Sequence, residues 1–290
     1  MLSVLLPVYN FDVRPLATQL HGQCLAAGIP FEIICIDDCS DDHWQALNRG
    51  LEALEHVAYR ELEANIGRSA IRNLLAKSAV YPYLLFLDCD SGIIRTDFIR
   101  AYADQLTPDA ILYGGRQYSA LPPADPSMYL HWLFGVRREA LPVGIRQKAP
   151  YDRFMTNNFL APKSVMERIP FEEKLRQYGH EDTLFGFELK RASIPIRHLD
   201  NPVEHLGLEP AEVFLDKTRK SVENLAVVHR LQPELETSLL KWGKRFHLLS
   251  PPSAVSRQLL SNLRQRLISG KPRLFLLDAY KLLVFLSIPK

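Results

Sequence analysis

The sequence predicts an α/β fold: a mixed, mainly parallel sheet with helices on both faces, followed by a helical C-terminal extension. Three observations predict it. From Ser3 to Leu87, short apolar runs alternate with segments of helical periodicity, the pattern of parallel sheets with crossover helices. Three of the apolar runs end abruptly in polar clusters, at Tyr9-Asn10, Asp37-Asp38 and Asp88-Cys89-Asp90, and such sheets bind ligands beyond the carboxyl ends of their strands. After Gly207 the alternation stops, and segments of helical periodicity follow.

Ser3 to Val8 reads as the first strand, stopped by Pro7, which has no N–H for a ladder. Arg14 to Ala27 carries Leu16, Ala17, Leu20 and Cys24 at helical spacing, with Gly28 as C-cap. Phe31 to Ile36 is a second strand, closed by the polar run Asp37 to Asp42. Trp44 to Leu54 reads as a helix with Asp41 or Asp42 at its N-cap. Val57 to Leu62 is a short strand, Gly67 to Ala79 a helix and Leu84 to Leu87 a strand. The middle is less regular. Tyr113 to Tyr118, Asn157 to Pro162 and Ile194 to Leu199 read as strands, Val165 to Ile169 and Glu181 to Arg191 as short helices, and Leu121 to Pro126 as a loop. Pro210 to Arg230, Glu234 to His247, Ser256 to Ile268 and Arg273 to Ile288 read as helices, with a joint at Pro251-Pro252.

The 290 residues have an ordinary soluble composition, with 47% hydrophobic and 23% charged residues. The N-terminus runs into the first strand without a basic leader, and Cys24, Cys35, Cys39 and Cys89 show no zinc spacing. A cytoplasmic chain with reduced thiols is expected. Net charge is only +2, unevenly placed. Leu240 to Lys290 holds ten Lys and Arg against one acid, Asp278, and the rest carries 25 basic and 32 acidic residues. A basic tail on a mildly acidic body suits a negatively charged surface as partner.

Asp88 and Asp90 carry the strongest chemical signal. If strand geometry continues through them, both carboxylates face the same way. Like charges so placed repel unless a cation stands between them, and a divalent metal carrying a phosphate fits, because hard cations take oxygen ligands. The same residues also suit an ordinary turn. Asp37 and Asp38 offer acceptors to a ribose hydroxyl or a base N–H, or serve as charge at a helix start. Gly67 allows close backbone approach to a ligand. Arg68 and Arg72 share one helical face: one could reach a diphosphate, or they pair with the acidic loops or face solvent. Glu181-Asp182 is either a cap or the source of a general base. His205 matters only if a metal sits at Asp90, since Mn²⁺ accepts a mixed oxygen and nitrogen shell.

Taken in order, these segments resemble the family 2 glycosyltransferases, inverting enzymes of the GT-A nucleotide-diphospho-sugar transferase fold. Ser3 to Asn10 resembles their opening strand. Glu32 to Asp41 resembles V-D-D-G-S-x-D, with Cys39 where glycine is usual. Asn65 to Asn73 resembles N-x-G-x-x-x-A-R-N, with Ile71 where alanine is usual. Asp88-Cys89-Asp90 resembles their D-x-D site, and Phe171 to Asp182 resembles F-D-E…G-x-E-D.

The resemblance covers residues 1–207. It implies a catalytic domain there, with a nucleotide-binding half at 1–91 and an acceptor-side half at 92–207, and leaves 208–290 as a basic helical extension. It implies a donor site of Pro7, Tyr9, Asn10, Asp38, Gly67, Arg72, Asp88 and Asp90. Within it, Asp38 would contact the uracil or ribose of a UDP-sugar, and Asp88 ribose or metal-bound water. Mn²⁺ or Mg²⁺ would be held by Asp90 and His205, with Asp88 nearby. Asp182 would be the base, and Glu181 would orient acceptor or donor.

The activity so implied is metal-dependent inverting transfer from a nucleotide-diphospho-sugar to a hydroxyl of a glycan or lipid-linked acceptor, as in cell-surface polysaccharide synthesis. A sugar-phosphate nucleotidyltransferase should carry a glycine-rich basic loop after its first strand, and Pro7 to Asp12 has none. A non-catalytic nucleotide-sugar-binding scaffold has no need of both Asp90 and Asp182. Nucleic acid is not an expected partner. The C-terminal helices are expected either to lie on an anionic membrane at its inner face, near a lipid-linked acceptor, or to pack on the catalytic domain or in a homodimer.

Overall fold

The computed structural model describes residues 1–175, 177–246, 253–269 and 271–288. They form two compact units. The first comprises Met1–Tyr118, Ala140–Arg176 and Glu181–Gly207; the second comprises Ser119–Glu139, Gln177–His180 and Leu208–Lys290. Residues 119–139 and 177–180 therefore group with the C-terminal helices, not with the half in which the sequence places them.

The strands of the first unit are β1 (Leu2–Val8), β2 (Phe31–Asp37), β3 (Val57–Glu61), β4 (Tyr83–Leu87), β5 (Ser91–Ile93), β6 (Ile111–Tyr113), β7 (Arg116–Gln117), β8 (Asn158–Pro162), β9 (Ile196–His198) and β10 (Val203–His205). Seven of them form one sheet in the order β3-β2-β1-β4-β8-β6-β9, and β5-β10-β7 form a second. In the large sheet β8 alone runs against its neighbours; the other pairs are parallel. Its helices are α1 (Arg14–Ala27), α2 (Asp42–Asn48), α3 (Arg68–Ser78) and α4 (Phe98–Ala103), followed beyond the excursion into the second unit by short helices and Glu181–Arg191. The alternation of side chains along β1 explains the two-sided packing: Val4 and Leu6 join α1 and α4 in one apolar cluster, whereas Leu5 joins α3 in the other. A parallel sheet buried on both faces needs apolar residues at successive positions.

Three expected elements of the first unit are corrected. Pro7 does not end the first strand: it lies within β1, opposite Ile36. Leu2 N–H bonds to Pro30 and Asp38 N–H to Val8, so even positions of β1 face β2 and Pro7 faces β4, where pairing has already ended at Leu5. Its missing N–H therefore breaks no ladder bond. The helix expected over Trp44 to Leu54 is α2 followed by a 3₁₀ turn, Arg49–Ala53. The buried Asn48 side chain marks the change, accepting from Val13 N–H and donating to Phe11 O. The strand expected over Tyr113 to Tyr118 is split at Gly114-Gly115. Gly115 has φ +99°, open to glycine, and a Cβ on Gly114 would meet Asn158 Nδ2 at 2.5 Å. The chain leaves the large sheet there and enters the small one. The short elements β5, β10 and α4 carry too few residues to show a period.

The second unit is helical. Numbered on from α4 in chain order, it contributes α5 (Tyr129–Phe134); the first unit resumes with α6 (Val143–Arg146), α7 (Lys163–Arg168) and α8 (Glu181–Arg191); and the second ends with α9 (Ala211–Leu231), α10 (Ser238–Phe246), α11 (Ser253–Ile268) and α12 (Leu274–Leu286). Leu130, Leu215, Val222, Leu267, Leu277 and Val284 share its core. The helix expected from Glu234 begins at Ser238, because the Thr237 hydroxyl caps Leu240 N–H at 3.2 Å. His247 and the joint expected at Pro251-Pro252 lie outside the described residues. Among the described residues, no helix is long and apolar enough to cross a membrane.

Candidate active site

β1 lies between β2 and β4, so the chain leaves the sheet in opposite directions on either side of β1, and a crevice opens at such a switch. Its first wall is the loop after β1. Asn10 donates its N–H to Ser40 Oγ at 2.7 Å, and its Oδ1 accepts from Asp41 N–H at 2.8 Å. Tyr9 beside it is exposed.

The acids after β2 divide by role. Asp37 is fully buried and structural: it accepts from Ser40 N–H and the Tyr59 hydroxyl. Asp38 accepts from Ile66 N–H at 2.7 Å and Gly67 N–H at 3.0 Å, and burial raises its carboxyl above the usual range. It thus clamps the loop that starts α3, and contact with a nucleoside would fall to its remaining lone pairs. Cys39 sits at φ +63°, the left-handed region that glycine enters freely and other residues at a cost. The loop keeps this geometry without the glycine.

β4 ends at Leu87, and Ser91 N–H bonds back to Asp88 O at 3.1 Å. Strand geometry does not continue, and the two carboxylates take different partners. Asp88 accepts from Arg72 Nη2 at 2.7 Å and Arg116 Nη2 at 3.4 Å. Asp90 Oδ2 lies 3.4 Å from His205 Nδ1. The antiparallel pairing of β5 with β10 sets His205 opposite Ser91, which is how a residue so distant in sequence reaches Asp90. Burial disfavours the Asp90 carboxylate, yet His205, Arg116 and Arg68 together hold it well below the usual range. Gly207 packs against it: a Cβ there would stand 2.4 Å from Asp90 Oδ2.

Gly179 (φ +93°) and His180 (φ +68°) precede the two acids that open α8. Glu181 is buried, with Oε1 2.6 Å from Arg68 Nε and 3.9 Å from Arg72 Nη1. Burial works against its charge, but the two arginines keep its carboxyl below the ordinary value. Asp182 moves the other way. Burial, then the charge of Glu181, push it up to about 6, although Thr183 N–H and hydroxyl both donate to its Oδ1.

A divalent cation fits part of this arrangement. Asp90 Oδ1 is buried without a hydrogen-bond partner, and Asp90 and His205 form an oxygen–nitrogen pair. No group of three His, Cys, Asp or Glu among the described residues is placed to hold a metal. Asp88, expected near the metal, is turned to the arginines instead. Two protein ligands suit a cation that takes its other oxygens from a diphosphate and water, as Mg²⁺ sites do.

Residues 3–155 match the family model "Glycosyl transferase family 2", more than half of the chain. The chain is a family 2 glycosyltransferase. It is 31% identical over 284 residues to a chondroitin synthase of Escherichia coli, covering 83% of this chain but only 40% of that protein. The chain thus spans less than half the length of that curated relative. Two solved structures share its fold. A mannosyltransferase from Pyrobaculum calidifontis in complex with GDP-Man and Mn²⁺ has a TM-score of 0.55 at 14% identity, over 79% of this chain and 64% of that one. S. aureus TarS 1–349 in complex with UDP-GlcNAc has a TM-score of 0.51 at 18% identity, over 98% and 89%.

The glycosyltransferase therefore has the GT-A fold that its motifs imply, with C-terminal helices added. Arg72 pairs with the acids, the second of the roles open to it from sequence. Arg116 and Gly207 belong to the site yet escape sequence reasoning. Arg116 falls in an expected strand of no distinctive pattern, and Gly207 follows His205 by two positions without a turn signature.

Proposed function

We propose that this glycosyltransferase moves a sugar, with inversion, from a UDP-sugar to a hydroxyl of a glycan or lipid-linked acceptor, using a divalent metal. One observation carries the reading: two carboxylates of the same unit have opposite environments. His205 and the arginines keep Asp90 ionised, while Asp182 is raised toward the range of a base that works near neutral pH. Titratable groups driven apart in this way mark distinct acid–base roles.

Inverting transfer needs both roles. Asp182 would take the acceptor hydroxyl proton as the oxygen attacks the anomeric carbon. Glu181, held by Arg68 and Arg72, would stay charged and orient the reacting groups. Asp90 and His205 would hold Mn²⁺ or Mg²⁺, which when bound supplies Lewis-acid stabilisation of the departing diphosphate. The chondroitin synthase relative and the neighbours solved with UDP-GlcNAc, or with GDP-Man and Mn²⁺, support this reading. With Mn²⁺ present, the correct UDP-sugar at a hundred times its Kd should raise the unfolding temperature by about 5–10 °C. If no UDP-sugar shifts the transition with either metal, the donor assignment fails.

The second unit supports a peripheral membrane role. Exposed Trp242 stacks on Phe246 at 5.4 Å, and Leu259 and Phe275 are also exposed. Exposed Lys241, Lys244, Arg245 and Lys271 flank them in sequence. Aromatic and basic side chains together suit the surface of an anionic leaflet. Liposomes rich in phosphatidylserine should float the protein at low salt and release it at high salt. No flotation at low salt removes this reading, and a dimer in solution would then assign the surface to a second copy.

A further inference from the structure

The two arginines of α3 share a face but not a depth. Arg72 is only 2% exposed and fixed on several sides: Nη2 on Asp88, Nη1 on the Arg68 carbonyl, and its cation over the Phe171 ring at 5.9 Å. It cannot follow a ligand. Arg68 lies one turn earlier, as the first residue of α3, with its side chain 44% exposed. Its Nε holds Glu181 at 2.6 Å, while Nη2 stands 3.7 Å from Asp88 Oδ2, ion-paired but beyond a good hydrogen bond. One side chain therefore spans the helix that carries the base and the turn that carries Asp88 and Asp90.

We propose that Arg68 is a donor-binding residue whose outer guanidinium edge grips the diphosphate, while its Nε keeps hold of Glu181. This rests on the nucleotide-sugar reading above and names a residue within it. Three features support it. A diphosphate entering here adds negative charge beside Asp90 and Asp182, and also beside Asp88 and Glu181, which the arginines already pair, so a cationic contact besides the metal favours its binding. Arg68 already pairs with Glu181 at 2.6 Å and lies 3.7 Å from Asp88, so its cation stands between the two acidic turns that a diphosphate must approach. Arginine also binds phosphate bidentately through a planar fork, and a fork anchored at Nε is already oriented. The grip would link donor arrival to Glu181, the neighbour of the base.

The test compares UDP with uridine, both with Mn²⁺, on wild type, Arg68→Met and Arg68→Lys. Affinities come from calorimetry for UDP and NMR titration for uridine. Arg68→Met should weaken UDP about ten- to a hundredfold and leave uridine unchanged. Arg68→Lys should recover part of the loss, because it restores charge without the fork. The donor KM should rise in step with the UDP Kd. Wild-type affinity for UDP in Arg68→Met overturns the proposal. An equal loss of UDP and uridine also overturns it, since that marks a structural role. Wild type that binds uridine and UDP equally overturns the diphosphate contact, whereas wild type that binds neither overturns the nucleotide-sugar reading itself.

Discussion

Asp182→Asn should lower kcat by about two to four orders of magnitude while leaving donor affinity unchanged. The amide keeps an oxygen for the Thr183 N–H and hydroxyl that now donate to Oδ1, but it accepts no proton from the acceptor. In wild type, kcat/KM should fall about tenfold per pH unit below about 6, where Asp182 becomes protonated. The variant should lose that limb. Stability separates this effect from unfolding. Burial and the charge of Glu181 raise the folded-state value, so folding disfavours the ionised carboxylate. That penalty is absent below the ordinary Asp value and fully present above about pH 6. Asp182→Asn should therefore unfold at or above the wild-type temperature at pH 8, and the advantage should vanish near pH 3.5. Near-wild-type turnover, measured with a coupled assay for the released nucleoside diphosphate, would sink the base assignment.

Asp90→Asn should reduce turnover about a thousandfold, the scale on which a metal stabilises charge in a transition state. Gly207→Ala tests the same site by geometry alone. The new Cβ would stand 2.4 Å from Asp90 Oδ2 and 3.1 Å from Asp90 Cγ. Asp90 is short, with its Oδ2 3.4 Å from His205 Nδ1, so the carboxylate must leave its present position to make room. Metal affinity should fall about ten- to a hundredfold, as when a group that orients a ligand is lost. Isothermal titration with Mn²⁺ in the presence of UDP reads this directly. Unaltered Mn²⁺ affinity in both variants would remove Asp90 from the metal site.

Much of this protein is legible in its residue pattern because its signals are local. The buried strands of the large sheet are runs of consecutive apolar residues, and the helices between them keep their period. Asp38, Gly67, Asp88, Asp90 and Glu181-Asp182 stand at strand ends and helix starts, where the order of elements alone brings them to one edge. The glycine-to-cysteine departure at position 39 is visible too, and its φ of +63° shows the backbone holding the same turn.

The residue pattern alone carries the α/β class, the family and the acids proposed for the site. The tertiary structure decided how those acids differ. Asp88 and Asp90 part company because β4 ends at Leu87 and the next residues turn. His205 meets Asp90 because two three-residue strands, too short to show any period, pair antiparallel. Asp182 rises and Glu181 falls because burial acts on both, but Arg68 hydrogen-bonds only Glu181. The first outcome is a local turn, but the other two depend on groups from remote segments, and electrostatic energies follow distance in space, not separation along the chain.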